Sequence, residues 1–122
     1  MSYPEYHPQF RKLWIDDVRD PNEYAKDPAN WLWVKTYDEA ENALLAHSWD
    51  VVSFDHDLSE EHYSLLPEKA NRTGYHLAVI CERGAYFKTM KQFDWKVHSQ
   101  NPQGAARIRM SLNKADEFWN EN

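Results

Sequence analysis

Short apolar runs that close on polar or acidic residues alternate along the chain with stretches of helical periodicity. Residues 12–16 (KLWID) form the first such run, and residues 32–36 (LWVKT) the second. Residues 38–47 (DEAENALLAH) place Ala40, Ala43, Leu44 and His47 on one helical face, with Asp38 positioned to cap it. Residues 51–54 (VVSF) are nearly continuous in apolar character, as a strand covered by helices should be. Thr73 is placed to cap a helix over residues 74–83, with Leu77, Ile80 and Cys81 on one side and Gly84 as its stop. Residues 94–98 (DWKVH) read as a further strand. Pro102 suits the first turn of a last helix whose apolar positions are Ala105, Ile108, Met110 and Leu112.

This order of elements is what a parallel sheet with crossover connections requires. The expected fold is a single three-layer α/β domain over residues 12–122, with a mostly parallel sheet of about four strands flanked by helices. Residues 17–31 are short and contain Pro, so any helix there is clipped. Residues 1–11, with two Pro and three aromatics in the first ten, read as an N-terminal arm.

Composition narrows the function classes. The 122 residues suit one domain, and 28% charged with 42% apolar residues is ordinary globular usage. A net charge of −6 argues against a general duplex-DNA binder, because few cations are available for phosphates. The single cysteine, Cys81, cannot form an internal disulfide and falls in an apolar helical stretch, so it reads as a buried apolar residue in a reducing compartment. No apolar run approaches membrane-spanning length and the start is polar, so a cytoplasmic protein with no membrane partner is expected. The six Trp read first as packing residues, with Trp31 and Trp33 the candidates for base stacking.

Three polar clusters each follow a strand: Asp16, Asp17 and Arg19; Asp55, His56 and Asp57; His98, Ser99 and Asn101. In open parallel sheets ligands bind at the carboxyl ends of the strands, so the clusters converge if the first, third and fourth strands are neighbours. Two carboxylates about 4 Å apart repel by about 4 kcal/mol at an effective dielectric of 20. Crowding Asp16, Asp17, Asp55 and Asp57 therefore calls for a cation, raised pKa values or Arg19, unless two of them face solvent. An all-oxygen set suits Mg²⁺ or Mn²⁺. A histidine alone is usually a packing residue, but His56 and His98 beside carboxylates suit a general acid–base pair. His7, His47, His62 and His76 lack that placement. Arg19, Ser99, Asn101 and Thr73, with the helix starts near them, suit a phosphate.

The paired acids Asp16–Asp17 after a first strand, and Asp55 closing VVSF, resemble the receiver domain of two-component response regulators. That resemblance implies a flavodoxin-like fold in which the paired acids bind Mg²⁺ and Asp55 accepts a phosphoryl group, with Ser99 at the fourth-strand Ser/Thr position. The chain departs from the pattern in lacking a fifth strand with its Lys, in its reduced first helix, and in carrying His56 and His98. With these departures, the strings LWIDDVRDP, SFDHDL, TGYHLA and HSQNPQGA are similar to cyclic-phosphate-processing receiver domains over residues 13–112.

The leading expectation is a metal-dependent phosphoesterase acting on cyclic phosphates of nucleotides or RNA ends. Asp16, Asp17, Asp55 and Asp57 would hold the metal, and His56, His98 and Asp55 would carry the chemistry. The alternatives are a phosphoacceptor switch at Asp55 and a non-catalytic module that binds a nucleotide or a protein partner.

Overall fold

The computed structural model describes residues 11–27, 29–55 and 73–121. Four strands, β1 (Lys12–Ile15), β2 (Trp31–Val34), β3 (Val51–Phe54) and β4 (Asp94–Val97), form one sheet in the order β2-β1-β3-β4. Every neighbouring pair is parallel. Among the described residues the helices are α1 (Pro21–Tyr24), α2 (Tyr37–Ala46), α3 (Gly74–Tyr86) and α4 (Pro102–Trp119). The parallel α/β expectation holds, and the segment between β1 and β2 is indeed clipped to a single turn capped by Asp20.

Strand alternation sorts the sheet into two unlike faces. Leu13, Ile15, Val34, Val52 and Phe54 belong to one buried cluster with Ala40, Ala43 and Leu44 of α2, Leu77, Ala78 and Cys81 of α3, and Ile108 and Leu112 of α4. The three long helices therefore share one face. Among the described residues the opposite face meets only α1. Cys81 is fully buried, and burial pushes its thiol well above the ordinary range, as an apolar packing residue requires.

Four local expectations are corrected. Helix α2 is capped by Thr36, not Asp38: the Thr36 hydroxyl accepts from the Glu39 amide at 3.1 Å while Glu39 Oε1 accepts from that hydroxyl and, at 3.4 Å, from the Lys35 amide. TYDE has the spacing of a capping box, with the Glu39 carboxylate returning to the Thr36 hydroxyl and the Lys35 amide, and Asp38 instead adds an acid to the first turn. His47 then lies past the helix as its C-cap and meets Trp49 edge-on. Gly84 does not stop α3, which continues to Tyr86. A Cβ at Gly84 would lie 2.8 Å from Met90 Cβ, so the glycine serves a close approach inside the helix. Met110 is exposed, because the buried stripe of α4 runs through Ala105, Ile108, Leu112 and Ala115 and position 110 is two residues off it. No helix among the described residues is long and apolar enough to cross a membrane.

Candidate functional site

The parallel ladder runs one residue beyond three strands. The amides of Asp16, Asp55 and His98 donate to the carbonyls of Val34 (3.1 Å), Ile15 (3.0 Å) and Phe54 (3.0 Å). Because β1, β3 and β4 are neighbours, these three residues stand side by side at the carboxyl edge. By alternation they follow Trp14, Ser53 and Lys96 onto the face without long helices. The chain turns from β1 to β2 on one side and to β3 on the other, so Asp16 and Asp55 straddle the change in strand order where α/β sheets take their ligands.

Asp16, Asp17 and Asp55 each offer a carboxylate oxygen within 4.8 Å of the others, with Asp16 and Asp55 buried and Asp17 half-buried. Asp16 is the most heavily engaged. Its Oδ1 accepts from the amides of Val18 (2.8 Å) and Arg19 (2.9 Å), and its Oδ2 meets His98 Nε2 at 3.0 Å. Burial, the largest single influence, pushes the Asp16 carboxyl up, but the His98 bond and the two amides together hold it below the ordinary carboxylate range. Arg19 leans across the same edge, with Nη1 3.8 Å from Asp16 Oδ2 and donating to the His98 carbonyl at 3.5 Å.

His98 is fixed on every side. Its Nδ1 lies 2.7 Å from Ser53 Oγ, its Nε2 is on Asp16, and its ring stacks parallel on Trp14 at 4.0 Å between centroids. In a singly protonated ring, a carboxylate partner favours the proton on Nε2, which leaves Nδ1 to accept from the Ser53 hydroxyl. Trp14 is itself anchored by its Nε1 donating to the Arg19 carbonyl at 2.7 Å, and Trp33 Nε1 donates to the Asp16 carbonyl at 2.6 Å. Ser53 and Trp14 were not among the sequence-derived candidates. The available signal was a hydroxyl in an otherwise apolar strand, two residues before Asp55, which once buried had to find a polar partner.

The remaining candidates lie at helix starts. Ser99 Oγ accepts from the Asn101 amide at 3.1 Å, and Asn101 Oδ1 accepts from the Gly104 amide at 3.0 Å, together shaping the turn that opens α4. Thr73 opens α3. His76 reaches back to it, with Nδ1 accepting from the Thr73 amide at 3.3 Å, so this histidine serves as a cap. His56, Asp57, His7 and His62 lie outside the described residues.

A family model described as the cyclic-phosphate processing receiver domain matches residues 11–114. The chain belongs to that family. The matched stretch contains all four strands, the three clustered acids and His98. No curated protein and no solved structure matches the chain. The protein is thus a receiver-like domain of a family associated with cyclic-phosphate processing, and its departure from a full receiver sheet is visible in the described residues, where β4 leads into α4.

Proposed function

We propose that the chain is a cytoplasmic, divalent-metal-dependent phosphoesterase that opens cyclic phosphates of nucleotides or RNA ends. The observation that carries this reading is the grouping of Asp16, Asp17 and Asp55 beside a histidine bonded to one of them. The three acids fit a cation: they are hard oxygen donors, all within 4.8 Å of one another, on a rigid strand edge, as Mg²⁺ or Mn²⁺ prefers. When bound, the cation supplies positive charge that offsets the acids and polarises phosphoryl oxygens.

The chain's own groups do the rest. Arg19 offers a planar fork to the phosphate, and in this reading the α3 and α4 starts at Thr73, Ser99 and Asn101 add amides to it. Opening the ring by water forms one P–O bond and breaks one ring P–O bond; the water loses a proton and the departing sugar oxygen gains one. His98 handles a proton at Nδ1, through or in exchange with the Ser53 hydroxyl, while Asp16 steadies the charged ring. In this reading His56 is the second proton carrier and Asp57 a further acid.

The test is turnover of 2′,3′- and 3′,5′-cyclic mononucleotides, cyclic dinucleotides and RNA with a cyclic-phosphate end, in Mg²⁺, Mn²⁺ or EDTA. Turnover abolished by EDTA and reduced about 10²–10⁴-fold by His98→Ala supports the proposal. Turnover indifferent to EDTA, Asp55→Asn and His98→Ala would overturn it. Stable labelling of Asp55 by acetyl phosphate without turnover would mark a phosphoacceptor instead. Binding that survives loss of all three acids would mark a binding module.

A further inference from the structure

The three long helices among the described residues share one face of the sheet, and the other face bears a cleft of about 370 Å³, a volume in the range of small-ligand sites. Trp14, Ser53 and His98 form its inner surface. His98 therefore has two roles in space: it bonds the acid cluster through Asp16, and it forms part of the cleft. Among the described residues, this cleft adjoins the carboxylate edge through His98 and offers space for the remainder of a molecule whose phosphate lies there.

The lining states what that remainder should be. Trp31 and Tyr24 bring two aromatic rings, the first half-buried and edge-on to Trp14, the second exposed. Three lysines, Lys12, Lys26 and Lys96, line the cleft against a single acid, Asp27, in a chain whose net charge is −6. Lys12 is already held, 3.3 Å from Asp27 Oδ2 and 4.9 Å over the Trp31 ring. Lys26 and Lys96 are exposed and make no ion pair among the described residues. Lys96 pairs in register with Ser53, two residues before His98 on the same strand, so its Cα stands roughly 7 Å back from that of His98 at the usual rise per residue. The two ammonium groups, set back along the sheet from the acids, offer a place for a second anion.

We propose that the cleft binds the nucleoside part of a ribonucleotide carrying a second phosphate, with the base against Trp31 and Tyr24 and the second phosphate on Lys96 and Lys26. The proposal rests on the phosphoesterase reading for the identity of the first phosphate. Its chemistry is shared by a doubly phosphorylated mononucleotide and by the last linkage of an RNA strand.

The test is calorimetric titration of the full chain, with and without Mg²⁺, using adenosine, adenosine 3′-phosphate, adenosine 3′,5′-bisphosphate, ribose 5-phosphate and a short oligoadenylate ending in a 3′-phosphate. The expected result is bisphosphate binding roughly tenfold tighter than monophosphate, with a gap that narrows as salt rises. The gap should close in Lys96→Glu combined with Lys26→Glu, persist in Arg109→Glu on the exposed side of α4, and both ligands should weaken in Trp31→Ala but recover in Trp31→Phe. Equal binding of the two ligands, or a gap that survives the double lysine reversal, would overturn it. Tighter binding of the oligonucleotide than of the bisphosphate assigns an RNA end; the reverse assigns a mononucleotide. If the bisphosphate gap holds but no cyclic phosphate is ever opened, the cleft stands and the phosphoesterase reading falls. If turnover occurs without the gap, the reading stands and the cleft assignment falls.

Discussion

Ser53 and Phe54 are neighbours in β3, are both buried, and point to opposite faces of one sheet. Phe54 enters the cluster shared with α2, α3 and α4 and lies 6.4 Å from the Phe93 ring. Ser53 meets His98 Nδ1 at 2.7 Å and forms part of the cleft. The helix face is apolar and closed, and asks of its side chains only apolar character and the right volume. The other face carries lysines, a stacked histidine and a ring of indoles whose N–H groups all find carbonyls. The difference shows a division of labour across the thickness of one strand: stability is drawn from one side, and polar geometry is held on the other.

The sharpest way to break that comparison is Phe54→Ala. Loss of a fully buried ring should cost about 3–5 kcal/mol of folding stability, read as a shift in the urea midpoint, with the denaturant slope unchanged. Ser53→Ala, one residue earlier, should cost less, about 1–3 kcal/mol, because it removes one hydroxyl and leaves a ring nitrogen without that partner. Its larger signature should lie in the nitrogen-15 shifts of His98, which report the tautomer that Asp16 and Ser53 together select. If Ser53→Ala costs as much as Phe54→Ala with no change at His98, the two faces are one core and the division fails.

The helix face was largely legible in the sequence, because it is written in periodicity: Ala40, Ala43 and Leu44, then Leu77 and Cys81, then Ala105, Ile108 and Leu112 all turn inward. Where that reading slipped, a neighbouring residue decided the outcome. Gly84 looks like a stop until Met90 is seen packed against it, and Met110 looks apolar enough for the core until its angle on α4 is known. The acids were legible for a different reason: they end strands, and strand ends converge in any parallel sheet once β1, β3 and β4 are adjacent. The rest of the other face was less legible. His98 reads as a strand-end candidate and Trp31 as a stacking one, but Trp14 and Ser53 lie 39 positions apart in the chain, and His98 a further 45, so nothing local joins the three. That face also depends on α1 being a single turn, and a Pro-containing segment announces a short helix without saying what its shortness uncovers.

A baseline for both faces is the ion pair at the amino ends of β1 and β3. Arg11 Nε and Nη2 donate to Asp50 Oδ2 and Oδ1 at 2.8 and 2.9 Å, a bidentate arrangement with both side chains more than half exposed. The Arg11 hydrogen bonds hold the Asp50 carboxyl below its usual range against the opposing effect of desolvation. A carboxyl depressed on folding stabilises the native state above its unfolded pKa, and that contribution disappears as pH falls through the folded value. Arg11→Ala should therefore give the smallest loss of the three, present at neutral pH, shrinking as Asp50 is protonated in acid, and shrinking also in molar salt, because exposed pairs are screened. Urea midpoints of wild type and variant at neutral pH, in acid and in high salt would check it. A loss exceeding that of Ser53→Ala, and indifferent to salt, would mean that the seam between β1 and β3 is held at its amino edge, and that the polar network around His98 contributes to geometry alone.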